Sequence, residues 1–181
     1  MAVFLQNTGG SIYEFGSSGY TSMGLVIHSG HVLIGESVTQ ISWFLKRATN
    51  SGDGGPIKAK IYSGMNPLTN NPTLVATSIN SIDADTLTGT VAQYDFNFSG
   101  YTISNGDMIT MSADDTNNST TVSFDNDDGS GMTNAAEART ANEWTTYEAM
   151  IGAQPRIQVT YTAPTTSGTR LPPPPIVLGG L

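Results

Sequence analysis

The chain has no cysteine, which removes disulfide staples, zinc–thiolate centres, thiol nucleophiles and redox switching. It has two histidines, His28 and His31. They lie in the short run His-Ser-Gly-His, where a hairpin mouth could present both to a metal. No third ligand is evident, and a turn at Ser29 and Gly30 accounts for their polarity. Zinc mechanisms and most hydrolytic triads cannot be assembled from so few groups. No Gly-x-Ser-x-Gly elbow exposes a serine nucleophile.

Charge is also scarce. Charged residues are 12% of the chain, about half of the ~25% usual in globular domains. Ser, Thr, Asn, Gln and Gly must therefore cover much of the surface. Lysine and arginine number 7 against 15 acids, for a formal charge of −8. A lysine-poor, negative surface is a poor partner for nucleic acid phosphates and for anionic membranes. No run approaches the ~20 apolar residues of a helical membrane span. The first eight residues have no basic region and no long apolar stretch, so they do not read as a signal peptide.

What the chain does have is period-two alternation. Residues 38–46 read Val-Thr-Gln-Ile-Ser-Trp-Phe-Leu-Lys. Ile41, Trp43 and Leu45 fall on one face, Gln40, Ser42 and Lys46 on the other, with Phe44 out of pattern. Ile57, Ala59 and Ile61 alternate with Lys58, Lys60 and Tyr62, and Tyr94, Phe96 and Phe98 with Gln93, Asp95 and Asn97. Val122 and Phe124, then Ile157, Val159 and Tyr161, repeat the pattern. Alternation with one apolar face marks antiparallel strands packed on one side. Several of them predict two sheets face to face.

Turn-rich stretches separate these runs at residues 50–56, 63–67 and 125–131. A short helix is expected over 134–140, where Ala135, Ala136, Glu137 and Ala138 cluster. The expected fold is all-β, an antiparallel two-sheet sandwich with extended terminal arms. Residues 1–20 form an N-terminal arm or first strand, 21–162 the sandwich, and 163–181 a proline-rich C-terminal arm.

That last segment differs in kind. Leu171 leads into Pro172, Pro173, Pro174 and Pro175, then Ile176, Val177, Leu178 and, after two glycines, Leu181. Four consecutive prolines favour a stiff polyproline spacer of about 3.1 Å per residue. A linker would explain the prolines. The apolar tip fits better with an arm that docks on a neighbour, as do Val3, Phe4 and Leu5 at the other end.

Three further features bear on ligands. Asp125, Asp127 and Asp128 resemble the front of an acidic calcium loop. They lack the distal glutamate, and a solvated hairpin explains them equally well, so calcium is a subsidiary expectation and no other cofactor is implied. Trp144 and Tyr147 lie beside a loop and are the aromatics best placed to stack on a glycan, although burial as anchors competes with that role. Trp43, on an apolar strand face, belongs to the core. No spacing singles out the pair of carboxylates a glycosidase needs.

Residues 36–125 carry a resemblance. The succession of runs at 38–46, 57–62, 74–78, 82–87, 91–98 and 101–107 is similar to jelly-roll β-sandwich domains of the carbohydrate-binding-module-like type. Such domains occur in bacterial surface proteins and as appendages of phage virion proteins. The resemblance implies the sandwich and a jelly-roll-like strand arrangement. The lack of a recognisable catalytic constellation in the sequence gives the expectation of a non-enzymatic role. The resemblance transfers no ligand-binding residue, because no binding motif matches. The expected function is a virion or other extracellular assembly component: a capsid-decoration, head-fibre or filament subunit. Its partners would be copies of itself or a capsid or filament protein, in closed symmetry such as a trimer if the resemblance holds. The alternatives are a glycan-binding adhesion module and an accessory domain of a secreted enzyme.

Overall fold

The computed structural model describes residues 1–6, 11–15, 22–47, 55–64, 72–112, 122–127, 135–140, 148–150 and 154–163. These form two antiparallel sheets. The strands are β1 (Ala2–Gln6), β2 (Ser11–Phe15), β3 (Ser22–Ile27), β4 (Ser37–Arg47), β5 (Pro56–Ser63), β6 (Thr73–Thr77), β7 (Ile82–Asp83), β8 (Ala92–Thr102), β9 (Met108–Ser112), β10 (Val122–Asp127), β11 (Ala135–Thr140), β12 (Glu148–Met150), β13 (Gln154–Pro155) and β14 (Ile157–Thr162). The first sheet runs β1-β14-β4-β10-β13, with β2 on β10 and β8 on β4. The second runs β12-β11-β3-β9-β5-β6, with β7 on β5. The protein is a β-sandwich, as the alternation implied.

The core lies between the sheets. Ile41, Trp43, Leu45, Phe96, Phe98, Ile157 and Val159 supply it from the first sheet. Met23, Leu25, Ile27, Ile57, Ala59, Ile61, Ile109 and Met111 supply it from the second. The inward faces of β4, β5, β8 and β14 follow the apolar positions read from sequence. Phe44, the residue out of pattern, points to the opposite face from Trp43 and is nonetheless buried. The Arg156 guanidinium covers it, 3.8 Å from the ring centroid. A cation–π contact of this kind contributes about 0.5–2 kcal/mol.

β3 and β9 depart from simple alternation, because every residue of both is buried. They lie side by side inside the second sheet, and their sequences are nearly continuous apolar runs, as strands covered on both faces require. Ser22 and Ser112 face each other in register and bond through their hydroxyls at 2.7 Å. Gly24 is demanded by close approach. A Cβ there would lie 2.8 Å from the Ile109 carbonyl oxygen and 2.8 Å from Thr110 Cγ2. Gly100, at φ 102°, sits where β8 carries extra residues opposite β4 between Val38 and Gln40. That bulge needs the left-handed backbone that glycine adopts without cost.

One expectation changes. Residues 135–140 are strand β11, not helix, paired with β3 from Ala135↔Ile27 to Thr140↔Ser22. A segment that short cannot sustain an isolated helix, and backbone pairing with a buried neighbour outweighs alanine's helix propensity. Asp125 and Asp127 lie in strand β10, opposite Ile12 of β2 and Gln154 of β13. Of the two forms expected for the N-terminal segment, arm or first strand, its described residues take the second: β1 pairs with β14 over five residues and β2 pairs with β10. Among the described residues, the helical turn present is a 3-10 turn at Ala84–Thr86.

The two sheets are sewn together at one corner. Ser78 exchanges bonds with Ala59 of β5: Ser78 N–H donates to the Ala59 carbonyl at 2.8 Å, and Ala59 N–H donates to Ser78 Oγ at 3.3 Å. Two residues on, the Asn80 side chain lies along β8. Its Nδ2 donates to the Asp95 carbonyl and its Oδ1 accepts from Asn97 N–H, both at 2.8 Å. The amide thus stands in for a neighbouring strand's peptide group.

Candidate functional site

β1 is the edge strand of the first sheet, and no described residue pairs with its second edge. Its register with β14 sets Phe4 opposite Val159, Val3 opposite Thr160 and Leu5 opposite Gln158. Val159 is in the core, so Phe4 turns inward and packs against it. Val3 and Leu5 then turn outward by alternation, and are 57% and 45% exposed. The strand reads Ala-Val-Phe-Leu-Gln. It carries none of the charged residues, prolines or bulges that commonly protect a free edge.

Phe4 is held from the side by His31. The two rings meet edge-on at 5.0 Å between centroids. His31 closes the turn that the sequence placed at Ser29 and Gly30: its N–H donates to the His28 carbonyl at 3.1 Å, with Gly30 at φ 89°. Its Nδ1 accepts from Leu33 N–H at 3.2 Å. Burial lowers the His31 pKa from its ordinary value, so the neutral ring is the form this packing favours. His28 is exposed while His31 is buried. Among the described residues, no set of three His, Cys, Asp or Glu could hold a metal.

At the same end, Asp107 is buried and anchors the turn between β8 and β9. Its Oδ2 accepts from Ser104 N–H at 2.7 Å. Desolvation raises its pKa against the opposing effect of its hydrogen bonds. Tyr101 beside it is pushed up to about 12 by desolvation, then by the Asp107 charge and their hydrogen bond.

Beyond Val3 and Leu5, the outward face of the first sheet is a polar lane. Gln40 donates to Asn97 at 3.1 Å, Ser42 to Asp95 at 2.7 Å, and Gln93 to Asp95 at 2.9 Å. These groups are spent largely on one another. A second exposed apolar strip runs along β6 at the edge of the other sheet, with Leu74, Val75 and, just beyond, Ile79.

No family model, curated protein or solved structure matches this chain. The site is therefore argued from its own residues. Of those singled out from sequence, Val3 and Leu5 are outward on an edge that no described residue pairs, and Phe4 is inward. Asp125 and Asp127 are in β10. Trp144, Tyr147, Asp128 and all of residues 171–181 lie outside the described residues. The strip at Leu74 and Val75 was not singled out, although two adjacent apolar residues in a short strand beside a proline-bearing loop are a usable sign of an edge.

Proposed function

We propose that this protein is a non-catalytic assembly subunit that joins its neighbours through sheet edges and terminal segments. The observation that carries the reading is β1: an uncharged edge that no described residue pairs, with Val3 and Leu5 outward, on a chain of formal charge −8. An unpaired strand edge is a template for another strand. Where that edge also offers apolar side chains, pairing adds burial to backbone hydrogen bonds. Val3 and Leu5 are about half exposed, so covering each contributes on the order of 1 kcal/mol.

The neighbours in this reading are copies of the same chain or a shell or filament protein. The setting is a virion or comparable extracellular assembly, which is what the jelly-roll resemblance implies. Weak contacts of this size become effective when many copies repeat them. Light scattering over a concentration series, on the full chain and on a chain ending at residue 170, tests the reading. Oligomers that form with the full chain and are lost on truncation support it. A full chain that stays monomeric at every concentration overturns it, and a glycan screen with and without calcium would then take its place.

A further inference from the structure

We infer that the Asn105–Gly106 bond is a built-in deamidation site held shut by Ile27, so that its modification marks chains in which this end of the β3–β9 pair has opened. This goes beyond the assembly reading and does not depend on it.

The chain holds a single Asn-Gly pair, and it falls in the turn from β8 to β9. The turn needs the glycine. Asp107 N–H donates to the Ser104 carbonyl at 3.1 Å, which closes a four-residue turn with Gly106 in its third place at φ 84°. Glycine adopts that backbone because it has no Cβ to clash. Asn105 is exposed, and among the described residues its carboxamide has no hydrogen-bond partner. With no side chain on the next residue to shield the backbone nitrogen, this is the pair most open to attack on an asparagine carboxamide.

In that reaction Gly106 N loses its proton to base and bonds to Asn105 Cγ. The Cγ–Nδ2 bond breaks, and Nδ2 leaves as ammonia with a proton from the solvent. The five-membered succinimide then adds one water at either carbonyl and opens to aspartate or isoaspartate. Water is the co-reactant, and nothing is oxidised or reduced.

In the fold that nitrogen is occupied. Gly106 N–H donates to the Ile27 carbonyl at 2.8 Å, and Ile27 N–H donates to the Asp107 carbonyl at 2.7 Å. The two bonds extend the β3–β9 pairing past Val26↔Met108. Ile27 and Asp107 are both buried, and Asp107 Oδ2 fixes the other side of the turn by accepting from Ser104 N–H at 2.7 Å. A backbone proton held in this way is lost to base only when the segment opens. Deamidation begins with that same proton loss, so it shares one gate with hydrogen exchange at Gly106. Passage to isoaspartate is one-way. The succinimide has no N–H at 106 to return to Ile27, and isoaspartate adds a carbon to the main chain of a turn that four residues close.

The test incubates the full chain in mildly alkaline buffer, folded and unfolded in urea. Peptide mapping quantifies aspartate and isoaspartate at 105, and hydrogen exchange is followed at Gly106. Conversion should be at least about tenfold slower in the folded chain, with Gly106 exchange slowed by a similar factor. Gly24→Ala, whose Cβ would crowd Ile109 and Thr110, should speed both together. Sub-denaturing urea gives the same graded opening on the native sequence if that variant does not fold. Asn105→Gln, which would have to close a larger ring, should stay unconverted. Equal conversion in folded and unfolded chains would overturn the inference. So would slow exchange at Gly106 alongside fast conversion at 105, or an unfolded chain in which other asparagines convert well before this one.

Discussion

Replacing Asn80 by alanine should loosen the corner where the sheets are joined. The side chain gives one hydrogen bond to the Asp95 carbonyl and takes one from Asn97 N–H, each at 2.8 Å. Beside them, Ile79 N–H donates to the Asn97 carbonyl at 2.7 Å, and Ser78 Oγ donates to the Asn80 carbonyl at 2.7 Å. A typical net bond contributes about 0.5–1.5 kcal/mol. Two of them are lost at an edge that water can partly reach, so Asn80→Ala should cost about 1–3 kcal/mol. For a chain of this size that is roughly 2–4 °C of melting temperature per kcal/mol. Asn80→Asp is the sharper variant. It keeps an acceptor for Asn97 N–H but sets a carboxylate oxygen against the Asp95 carbonyl, so at neutral pH it should cost more than alanine. The folded state would raise the new carboxyl's pKa. Stability would therefore be regained as pH falls through that raised value, when the protonated acid can donate again. Urea unfolding of the three chains at neutral and mildly acidic pH measures this. An alanine variant within about 0.5 kcal/mol of the parent, or an aspartate variant no worse than alanine at neutral pH, would refute the account of the corner.

Other outcomes follow from the same structure. Gly24→Ala should destabilise by about 1–3 kcal/mol, because its Cβ meets a backbone carbonyl that cannot swing aside; a neutral result in chemical denaturation would mean β3 and β9 are not so close. His31 has a lowered pKa, so its contribution is full above the unfolded value near 6.5 and is lost as pH falls through the folded one. His31→Phe should flatten the stability curve between about pH 7 and 5, and an unchanged slope would contradict the buried neutral ring. Tyr101, raised to about 12, should contribute fully below about pH 10 and lose that contribution as pH rises through 12. Its phenolate absorbance should form in a late step near pH 12, and Tyr101→Phe should remove that step.

How much of this the sequence reveals depends on whether a signal is local. The inward faces of β4, β5, β8 and β14 were legible because burial on one side writes itself as alternation. β3 and β9 were not, since burial on both faces erases the alternation and leaves short apolar runs that suit helix or strand alike. Residues 135–140 misled because alanine's propensity is local, while the pairing with β3 that decides them is not. Asn80 gave no sign at all: its partners are fifteen and seventeen residues away in sequence. For the candidate site, the apolar character of Val3, Phe4 and Leu5 was plain. Which of them face outward was set only by the Phe4↔Val159 register.

The most direct test of the central claim is the solution mass of the full chain beside its Leu5→Lys variant, by light scattering over a concentration series. Leu5 is outward and 45% exposed, so lysine there should leave the circular dichroism spectrum and unfolding midpoint nearly unchanged while protecting the edge. The account predicts oligomers that grow with concentration in the native chain and a monomer in the variant. Oligomers of equal mass in both, or a native chain that is monomeric throughout, would contradict it.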